Sequence, residues 1–142
     1  MVDDCEALSA LAFASKAHWG YDDAFMEACR KELTIRPVDL ERARLRVAVA
    51  STIVGFHGVE GDELEWMFVA PDATGRGIGA ALFADALDIA RSAGVETLRI
   101  GSDPNAAGFY ERMGAQRIGE TPSASIPGRV LPVYAIGISS TM

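Results

Sequence analysis

Apolar residues near the amino terminus recur at the spacing of a helix. Asp3 and Glu6 resemble an acidic capping box, and apolar residues then follow at Ala7, Leu8, Leu11 and Ala12. This pattern predicts a helix from about Asp4 to Ala17. After a break at residues 18–21, Asp22 or Asp23 can cap a second helix with one apolar side: Phe25, Met26, Cys29 and Leu33. We therefore expect two helices before the first strand.

From Leu45 the apolar pattern changes to alternation, which is typical of strands. Residues 45–50 and the run from Ile53 predict a hairpin, and Gly61-Asp62 predicts the next turn. In the following strand, simple alternation puts one set of side chains on one face, Glu63, Glu65, Met67 and Val69. It puts the other set on the opposite face, Leu64, Trp66 and Phe68. Pro71 ends this strand.

The second half of the chain alternates helices with strands. An apolar stripe from Ile78 to Ala90 predicts a helix that ends at a left-handed cap, Gly94. Thr97–Ile100 is a predicted strand, and Asn105 can cap a helix that runs through Met113 to Gly114. Residues 116–118 and 130–138 predict two closing strands. This order predicts an α/β fold with a mixed, mostly antiparallel sheet flanked by helices.

Composition narrows the class of protein. A chain of 142 residues with 49% hydrophobic and 23% charged residues is typical of one soluble domain. No apolar run approaches the roughly 20 residues that span a membrane, so we expect a cytoplasmic protein without a membrane partner. The net charge of −7 argues against a nucleic-acid partner, because the phosphate backbone is also negatively charged. Cys5 and Cys29 indicate neither a disulfide framework nor a metal site.

A glycine-rich segment joins a predicted strand to a predicted helix. Gly75, Gly77 and Gly79 allow tight turns, and the unpaired N–H groups of a helix start favour an anion. The alternative is a glycine-rich turn that binds nothing. A Walker loop would need Gly-Lys-Ser/Thr, and a dinucleotide fingerprint would need glycine where Ala80 stands. The segment therefore fits neither nucleotide motif.

Two blocks of the sequence resemble one known family. The run from Phe68 through Pro71 to Gly79 resembles motif A of the GNAT superfamily of acetyl-CoA-dependent N-acetyltransferases. Residues 103–115, DPNAAGFYERMGA, are similar to motif B of that family. The resemblance covers roughly Leu45 to Ile138, and it implies that the two leading helices bind the acceptor.

The resemblance implies a site for acetyl-CoA between two splayed strands. Backbone groups of Phe68 and Val69 would bind the pantetheine arm, which Asn105 would also contact, and Tyr110 would stand near the sulfur. The pyrophosphate would be held by the glycine segment, Thr74, Gly75, Arg76, Gly77, Ile78, Gly79 and Ala80. Thr74 stands where the family usually has Arg or Gln, so phosphate binding would depend more on backbone and on Arg76. Motif B is also two residues shorter than usual after Asn105.

The first strand of the family, which normally precedes the first helix, is missing from this chain. The strand at 45–50 would then be an open edge, which proteins tend to cover. We expect a second copy of the chain to cover it, so that the protein forms a homodimer.

Acetyl transfer to an amine requires the neutral amine, and deprotonating a lysine-like amine at pH 7 costs about 4–5 kcal/mol. Glu65 or Glu63 could take the proton directly or through water; alternatively, both are solvent-facing strand residues. Tyr110 is our choice for the general acid that protonates the CoA thiolate. On a helix whose core stripe is Phe109 and Met113, it is predicted to point about 100° away from the core.

His18, Trp19 and Tyr21 lie between the leading helices, where an aromatic cluster could bound an amine or contact its cation. The alternative for Trp19 is a core position.

We expect residues 1–142 to be one domain, with acceptor-side helices in 1–40 and the sheet in 45–138. The predicted function is transfer of an acetyl group from acetyl-CoA to a primary amine of a small molecule or peptide. The alternative is a module that binds or senses acyl-CoA.

Overall fold

The helical patterns at the amino terminus form two helices. The computed structural model describes residues 4–42, 44–49, 53–71 and 77–138. Helix α1 spans Asp4–Ala17 and α2 spans Asp23–Leu33. Asp22 is the cap of α2, because its Oδ1 accepts a hydrogen bond of 2.8 Å from the Phe25 N–H. Asp3, predicted to cap α1, lies outside the described residues.

A third helix, α3 (Pro37–Arg42), precedes the first strand, so the expectation of two leading helices is wrong. Its start has a local cause. Pro37 occupies the first helical position, where a missing N–H costs nothing. The carboxylate of Asp39 reaches back and accepts a hydrogen bond of 2.9 Å from the Arg36 N–H.

Six strands form one sheet in the order β1-β2-β3-β4-β6-β5. They are β1 (Arg44–Val49), β2 (Ile53–Glu60), β3 (Glu63–Val69), β4 (Thr97–Gly101), β5 (Gln116–Pro122) and β6 (Val130–Gly137). Every neighbouring pair is antiparallel except β3 and β4, which are parallel. The predicted mixed, mostly antiparallel sheet is confirmed.

Two hydrophobic cores lie on opposite faces of this sheet. On one face, which we call the α1 face, α1 and α2 pack on Phe56 of β2 and Trp66 of β3. On the other, the α4 face, α4 (Ile78–Ser92) and α5 (Ala107–Arg112) pack on residues of several strands, among them Val59, Leu64, Leu98 and Tyr134. The sheet is thus a middle layer with a helical layer on each side.

A β-bulge in β3 moves its side chains between these faces. Gly58 pairs with Trp66 and Val59 pairs with Leu64, so Glu65 is an extra residue opposite the regular strand β2. As a result, Leu64 packs in the core of the α4 face and Trp66 in that of the α1 face. The expectation that these two residues share a face is wrong, because the bulge breaks the alternation.

Helices α4 and α5 end where glycine was predicted. Gly94 and Gly114 have φ of 82° and 99°, a region that L side chains rarely adopt. The start of α5 differs from the prediction. Asp103, and not Asn105, is the cap: its side chain accepts from the Asn105 N–H, and a 3₁₀ turn, Pro104–Ala106, leads into α5.

Both cysteines are buried and free. Over the part of the chain that the structure describes, no helix has the length and apolar character needed to cross a membrane.

Candidate active site

The sheet opens between its two parallel strands. β3 and β4 share one register pair, Glu63 with Arg99, which is reinforced by a hydrogen bond of 2.8 Å from the Arg99 N–H to the Asp62 carbonyl. Beyond this pair the strands diverge, and we call the opening between them the fork. The backbone edge of β3 that faces β4 therefore runs past the last strand pair without a strand partner among the described residues.

A cleft of about 860 Å³ runs through the fork and touches elements on both faces of the sheet. One end is lined by residues from the carboxyl ends of α1 and α2, including Lys16, His18, Trp19 and Glu32. The other end is lined by the start of α4 and by α5. A cleft of this size and length can hold an extended small molecule.

The backbone of β3 presents alternate residues to the cleft. The Ala70 N–H donates to the Val54 carbonyl at 2.8 Å, so Ala70 faces β2, and by alternation Phe68 faces β2 as well. The amide groups of Met67 and Val69 then face the fork. The backbone groups of Val69 therefore point into the fork, whereas those of Phe68 belong to the β2 ladder.

The start of α4 opens on the same cleft. Gly77 is the cap residue, with φ of 77°, and as a glycine it has no side chain with which to cap the first turn. Gly77, Ile78, Gly79 and Ala80 all line the cleft. Gly79 also permits close packing, because a Cβ there would lie 3.3 Å from the Phe109 ring. Uncapped N–H groups at a helix start attract an anion. Thr74, Gly75 and Arg76 of the predicted site lie outside the described residues.

Tyr110 lies in the core and not on the helix flank where the spacing placed it. Its side chain is 6% exposed and packs edge-on against Phe83 and Phe109. It nevertheless lines the cleft. Burial raises the pKa of the Tyr110 hydroxyl well above its usual range. The hydroxyl therefore keeps its proton at neutral pH and can act as a hydrogen-bond donor.

The two glutamates proposed as bases lie in different places. Glu65, the extra residue of the bulge, lines the cleft. Glu63 forms an ion pair of 3.3 Å with Arg99, and both side chains are about half exposed. Glu63 does not contribute to the lining of the cleft. Of these two glutamates, therefore, Glu65 is the one that lies at the cleft.

The three acceptor-side residues also separate. His18 and Trp19 line the cleft, and Trp19 is 47% exposed, so it does not occupy the core. Tyr21 turns away and stacks on Phe25 with 4.0 Å between ring centroids. Arg129 covers the Phe25 ring at 4.8 Å, and Lys16 lies 5.6 Å from the Tyr21 ring centroid. The chain's own cations thus lie against the Tyr21–Phe25 pair, of which Tyr21 was expected to meet a substrate.

A polar cluster that the sequence analysis did not identify surrounds Asp103, at the carboxyl end of β4. Asp103 accepts hydrogen bonds from Lys16 Nζ at 3.1 Å, from the Tyr21 hydroxyl at 3.0 Å and from the Asn105 backbone N–H at 2.8 Å. Arg129 Nη2 lies 3.7 Å from its carboxylate. We call these five residues, Lys16, Tyr21, Asp103, Asn105 and Arg129, the Asp103 cluster. The Asp-Pro pair is a local signal for a helix cap, but nothing local indicates its distant partners.

Charge within the cluster fixes the protonation of Asp103. Burial by itself would raise the pKa of its carboxyl group, but the Asn105 N–H, the Lys16 ammonium and the Tyr21 hydroxyl outweigh burial and hold the pKa below its usual range. Burial and the Asp103 charge raise the pKa of Tyr21. Asp103 is therefore an anion and Tyr21 a neutral donor at neutral pH. Among the described residues, no group of three or more His, Cys, Asp or Glu side chains could hold a metal ion.

An open mixed sheet forked at its parallel pair, with an uncapped helix start beside the fork, is the architecture of an acetyltransferase fold. Residues 9–124 match the family model described as an acetyltransferase (GNAT) domain. The chain therefore belongs to the GNAT acetyltransferase family, and it is an enzyme of the acetyltransferase class. No curated protein matches the chain.

Solved structures from this family share the fold. A GCN5-related N-acetyltransferase from Rhodopseudomonas palustris aligns with a TM-score of 0.82 at 21% identity, over 96% of this chain and 91% of that chain. PaiA N-acetyltransferase from Thermoplasma acidophilum, in complex with coenzyme A, aligns at 0.72 and 19% identity over 96% and 94%. YncA from Salmonella typhimurium, with acetyl-CoA, aligns at 0.67 and 16% identity over 100% and 92%.

Proposed function

We propose that this protein is an N-acetyltransferase that moves an acetyl group from acetyl-CoA directly to a primary amine of a small molecule or peptide. We further propose that residues 1–142 act as one domain. The observation that carries the proposal is the continuous cleft, which joins the uncapped start of α4 to Glu65 and Trp19 through the fork. Two of the structural neighbours were solved with coenzyme A or acetyl-CoA, which supports the choice of donor.

Successive parts of the cleft carry groups that could bind successive parts of acetyl-CoA. A pyrophosphate carries negative charge, and the N–H groups of Ile78, Gly79 and Ala80 at the start of α4 are the donors suited to it. A pantetheine arm carries two amides, and the Met67 and Val69 backbone groups on the open edge of β3 could pair with them as a neighbouring strand would. Asn105 also lines the cleft, and we propose that it contacts the same arm.

Tyr110 suits the leaving thiolate. When the amine nitrogen bonds to the thioester carbon, the C–S bond breaks and its electron pair stays on sulfur. A thiol has an ordinary pKa of about 8.5, so the sulfur needs only a hydrogen-bond donor or a proton as it departs. The Tyr110 hydroxyl, which its burial keeps protonated, would supply that donor.

Glu65 is the general base that we propose for the proton that the amine must lose. Glu65, the extra residue of the bulge, lines the cleft, whereas Glu63 lies outside it and pairs with Arg99. We propose that Glu65 takes the proton directly or through one water.

The charge at the acceptor end favours a cationic acceptor. Glu32 and Glu65 line this end together with Trp19. The nearby cation Lys16 is paired with Asp103 and is 10% exposed, so it offers little positive charge to a ligand. Carboxylates beside an aromatic face suit an ammonium group. We therefore place amines with a second positive charge ahead of acidic amines as acceptors.

Calorimetric titration with acetyl-CoA, followed by thiol release over a panel of amines, tests this function. We expect micromolar binding, a rise in melting temperature, and faster thiol release with an aliphatic diamine than with glutamate. NAD serves as the control ligand and should not bind. Absence of heat and of a melting shift with acetyl-CoA would refute the proposal, whereas binding without thiol release for any amine would favour an acyl-CoA-binding or sensing module.

We also propose that a second copy of the chain covers the open edge of β1. Among the strands that the structure describes, β1 pairs only with β2 and ends the sheet, and Val47 and Val49 on it are 42% and 63% exposed. Exposed apolar edge strands invite pairing with another chain.

A further inference from the structure

The Asp103 cluster joins four segments of the chain at the cleft. Lys16 comes from α1 and Tyr21 from the turn that follows it, while Arg129 comes from the loop before β6. Asp103 and Asn105 belong to the loop between β4 and α5. Because three of these segments are remote from Asp103 in sequence, a single carboxylate fixes their relative positions.

Asn105 is bound into the cluster by both its backbone and its side chain. Its Nδ2 donates to the Tyr21 hydroxyl at 2.8 Å and to Asp103 Oδ1 at 3.1 Å. The Tyr21 hydroxyl also accepts from Arg129 Nη2 at 2.8 Å. Asn105 lines the cleft, and Tyr110 follows five residues later at the same cleft. The loop that holds the cluster thus also carries the residues on the proposed acetyl-CoA side.

Asp103 supplies the negative charge that balances Lys16 and Arg129 in the cluster. The side chains of Lys16 and Arg129 are 10% and 17% exposed, so water screens them poorly. With Asp103 ionised, the cluster holds two cations and one anion. Without that anion, Lys16 and Arg129 would be two poorly hydrated cations with no neutralising charge. Removing one partner of a buried ion pair in this way strongly destabilises a fold.

We propose that Asp103 is a positioning residue, which holds the acceptor-side segments, residues 14–21 and 123–129, against the loop that carries Asn105 and leads to Tyr110. Through this contact, binding of acetyl-CoA reduces the motion of the two acceptor-side segments. The bound amine is then held at the right distance and angle to the thioester. This inference rests on the proposed function for its catalytic meaning, and the contact itself is a property of the fold.

Hydrogen exchange with coenzyme A as the probe tests the inference. In the wild type, coenzyme A should slow amide exchange in residues 14–21 and 123–129 as well as at the start of α4. Asp103→Asn keeps the shape of the side chain and removes its charge. We expect this variant to bind coenzyme A within threefold of the wild type, to protect the start of α4, and to lose protection in both acceptor-side segments. Their exchange without ligand should rise about tenfold.

Two further variants keep the test decisive. Asp62→Asn removes an exposed carboxylate that pairs with Arg99 at 3.3 Å, and it should behave as the wild type. Tyr21→Phe keeps the ring that stacks on Phe25 and removes the bridging hydroxyl. The loss of exchange protection in residues 14–21 and 123–129 should therefore be about a third of the loss in Asp103→Asn. If Asp103→Asn does not fold, Tyr21→Phe decides.

The outcomes separate the two proposals. If the wild type does not bind coenzyme A, the proposed function fails, while exchange of the ligand-free variants still decides whether Asp103 holds the segments. If coenzyme A binds and Asp103→Asn exchanges like Asp62→Asn in residues 14–21 and 123–129, the inference is overturned. A second readout is turnover with the amine of the panel that reacts fastest. Asp103→Asn should raise the KM for that amine about tenfold and keep the KM for acetyl-CoA within threefold.

Discussion

Tyr110 reaches the cleft from within a core. Phe83, Phe109 and Tyr134 surround its ring, and its hydroxyl is a donor whose proton is held by burial. The sequence analysis proposed this tyrosine as the general acid and placed it on the helix flank, whereas the structure buries it. Helical spacing gives the angle between neighbouring side chains, and it does not reveal that β6 and α4 also pack around this turn of α5.

We predict that Tyr110→Phe lowers kcat more than tenfold and leaves the Kd of acetyl-CoA within twofold, because the substitution removes a donor and keeps the ring. Because the pKa of Tyr110 is raised, its proton is retained as pH increases past the ordinary tyrosine value, 10.0. Wild-type kcat should therefore show no decline from this group between pH 7 and about 9.5.

Steady-state kinetics over pH 6–9.5 check this prediction. Tyr134→Phe is the matched control, because the Tyr134 hydroxyl bonds to Glu111 and does not line the cleft. That variant should lose stability and keep kcat. Unchanged turnover in Tyr110→Phe would remove Tyr110 from the mechanism.

Glu65 and Glu63 form a natural pair for a second test. Glu65→Gln should lower kcat/KM at pH 7 by about tenfold or more, since loss of a general base typically costs 10²–10⁴. Glu63→Gln removes a similar charge from an exposed ion pair outside the cleft and should stay within twofold of the wild type. Equal losses in the two variants would show that the effect is general electrostatics and not proton transfer.

At the scale of elements, the start of α4 carries the most specific expectation. Ala80 is exposed in the first turn of α4, and Ala84 is exposed one turn later. Ala80→Asp should weaken acetyl-CoA binding at least tenfold, because a carboxylate would compete with the pyrophosphate for the same N–H groups. The same carboxylate complements the helix dipole, which is worth about 0.3–1 kcal/mol, so the melting temperature should not fall.

Calorimetry and thermal melting of Ala80→Asp and Ala84→Asp measure these opposite effects. Ala84→Asp adds the same charge beyond the first turn and should keep the Kd of acetyl-CoA within threefold. If both variants weaken binding alike, long-range repulsion explains the loss and the start of α4 is not the phosphate site.

The bulge in β3 is the element-scale feature that alternation could not reveal. It arises from pairing with β2, and a period-two pattern continues through it without a visible break. Its effect is nonetheless decisive for the site, because it puts Leu64 and Trp66 in different cores and Glu65 between them at the fork. The third helix, by contrast, has local signals in Pro37 and Asp39, although it is only six residues long.

At the scale of the whole molecule, the β1 edge predicts assembly. Light scattering at micromolar concentration should report a dimer, and Val49→Lys, which puts a charge on the exposed edge, should shift the protein towards monomer. Val130→Lys is the matched control, because Val130 is 50% exposed on β6, away from β1. A wild-type monomer, or equal effects of the two substitutions, would contradict a dimer through this edge.

Much of the architecture could be predicted from the sequence because it depends on local patterns. Asp22 caps α2 with its own side chain, Gly94 and Gly114 end helices because a positive φ suits glycine, and alternation predicted the first three strands. The class of the site followed in the same way, since the glycine segment and the residues around Tyr110 are short runs with a family resemblance.

Tertiary structure alone decided which of those residues meet. Glu65, the extra residue of the bulge, lines the cleft, whereas Glu63 pairs with Arg99 outside it. Lys16 and Arg129 lie against the rings of Tyr21 and Phe25. In the Asp103 cluster, one hydrogen bond joins Tyr21 and Arg129, which are 108 positions apart. Local spacing cannot encode such contacts, because a buried charge selects its partners by what the folded chain brings within hydrogen-bond distance.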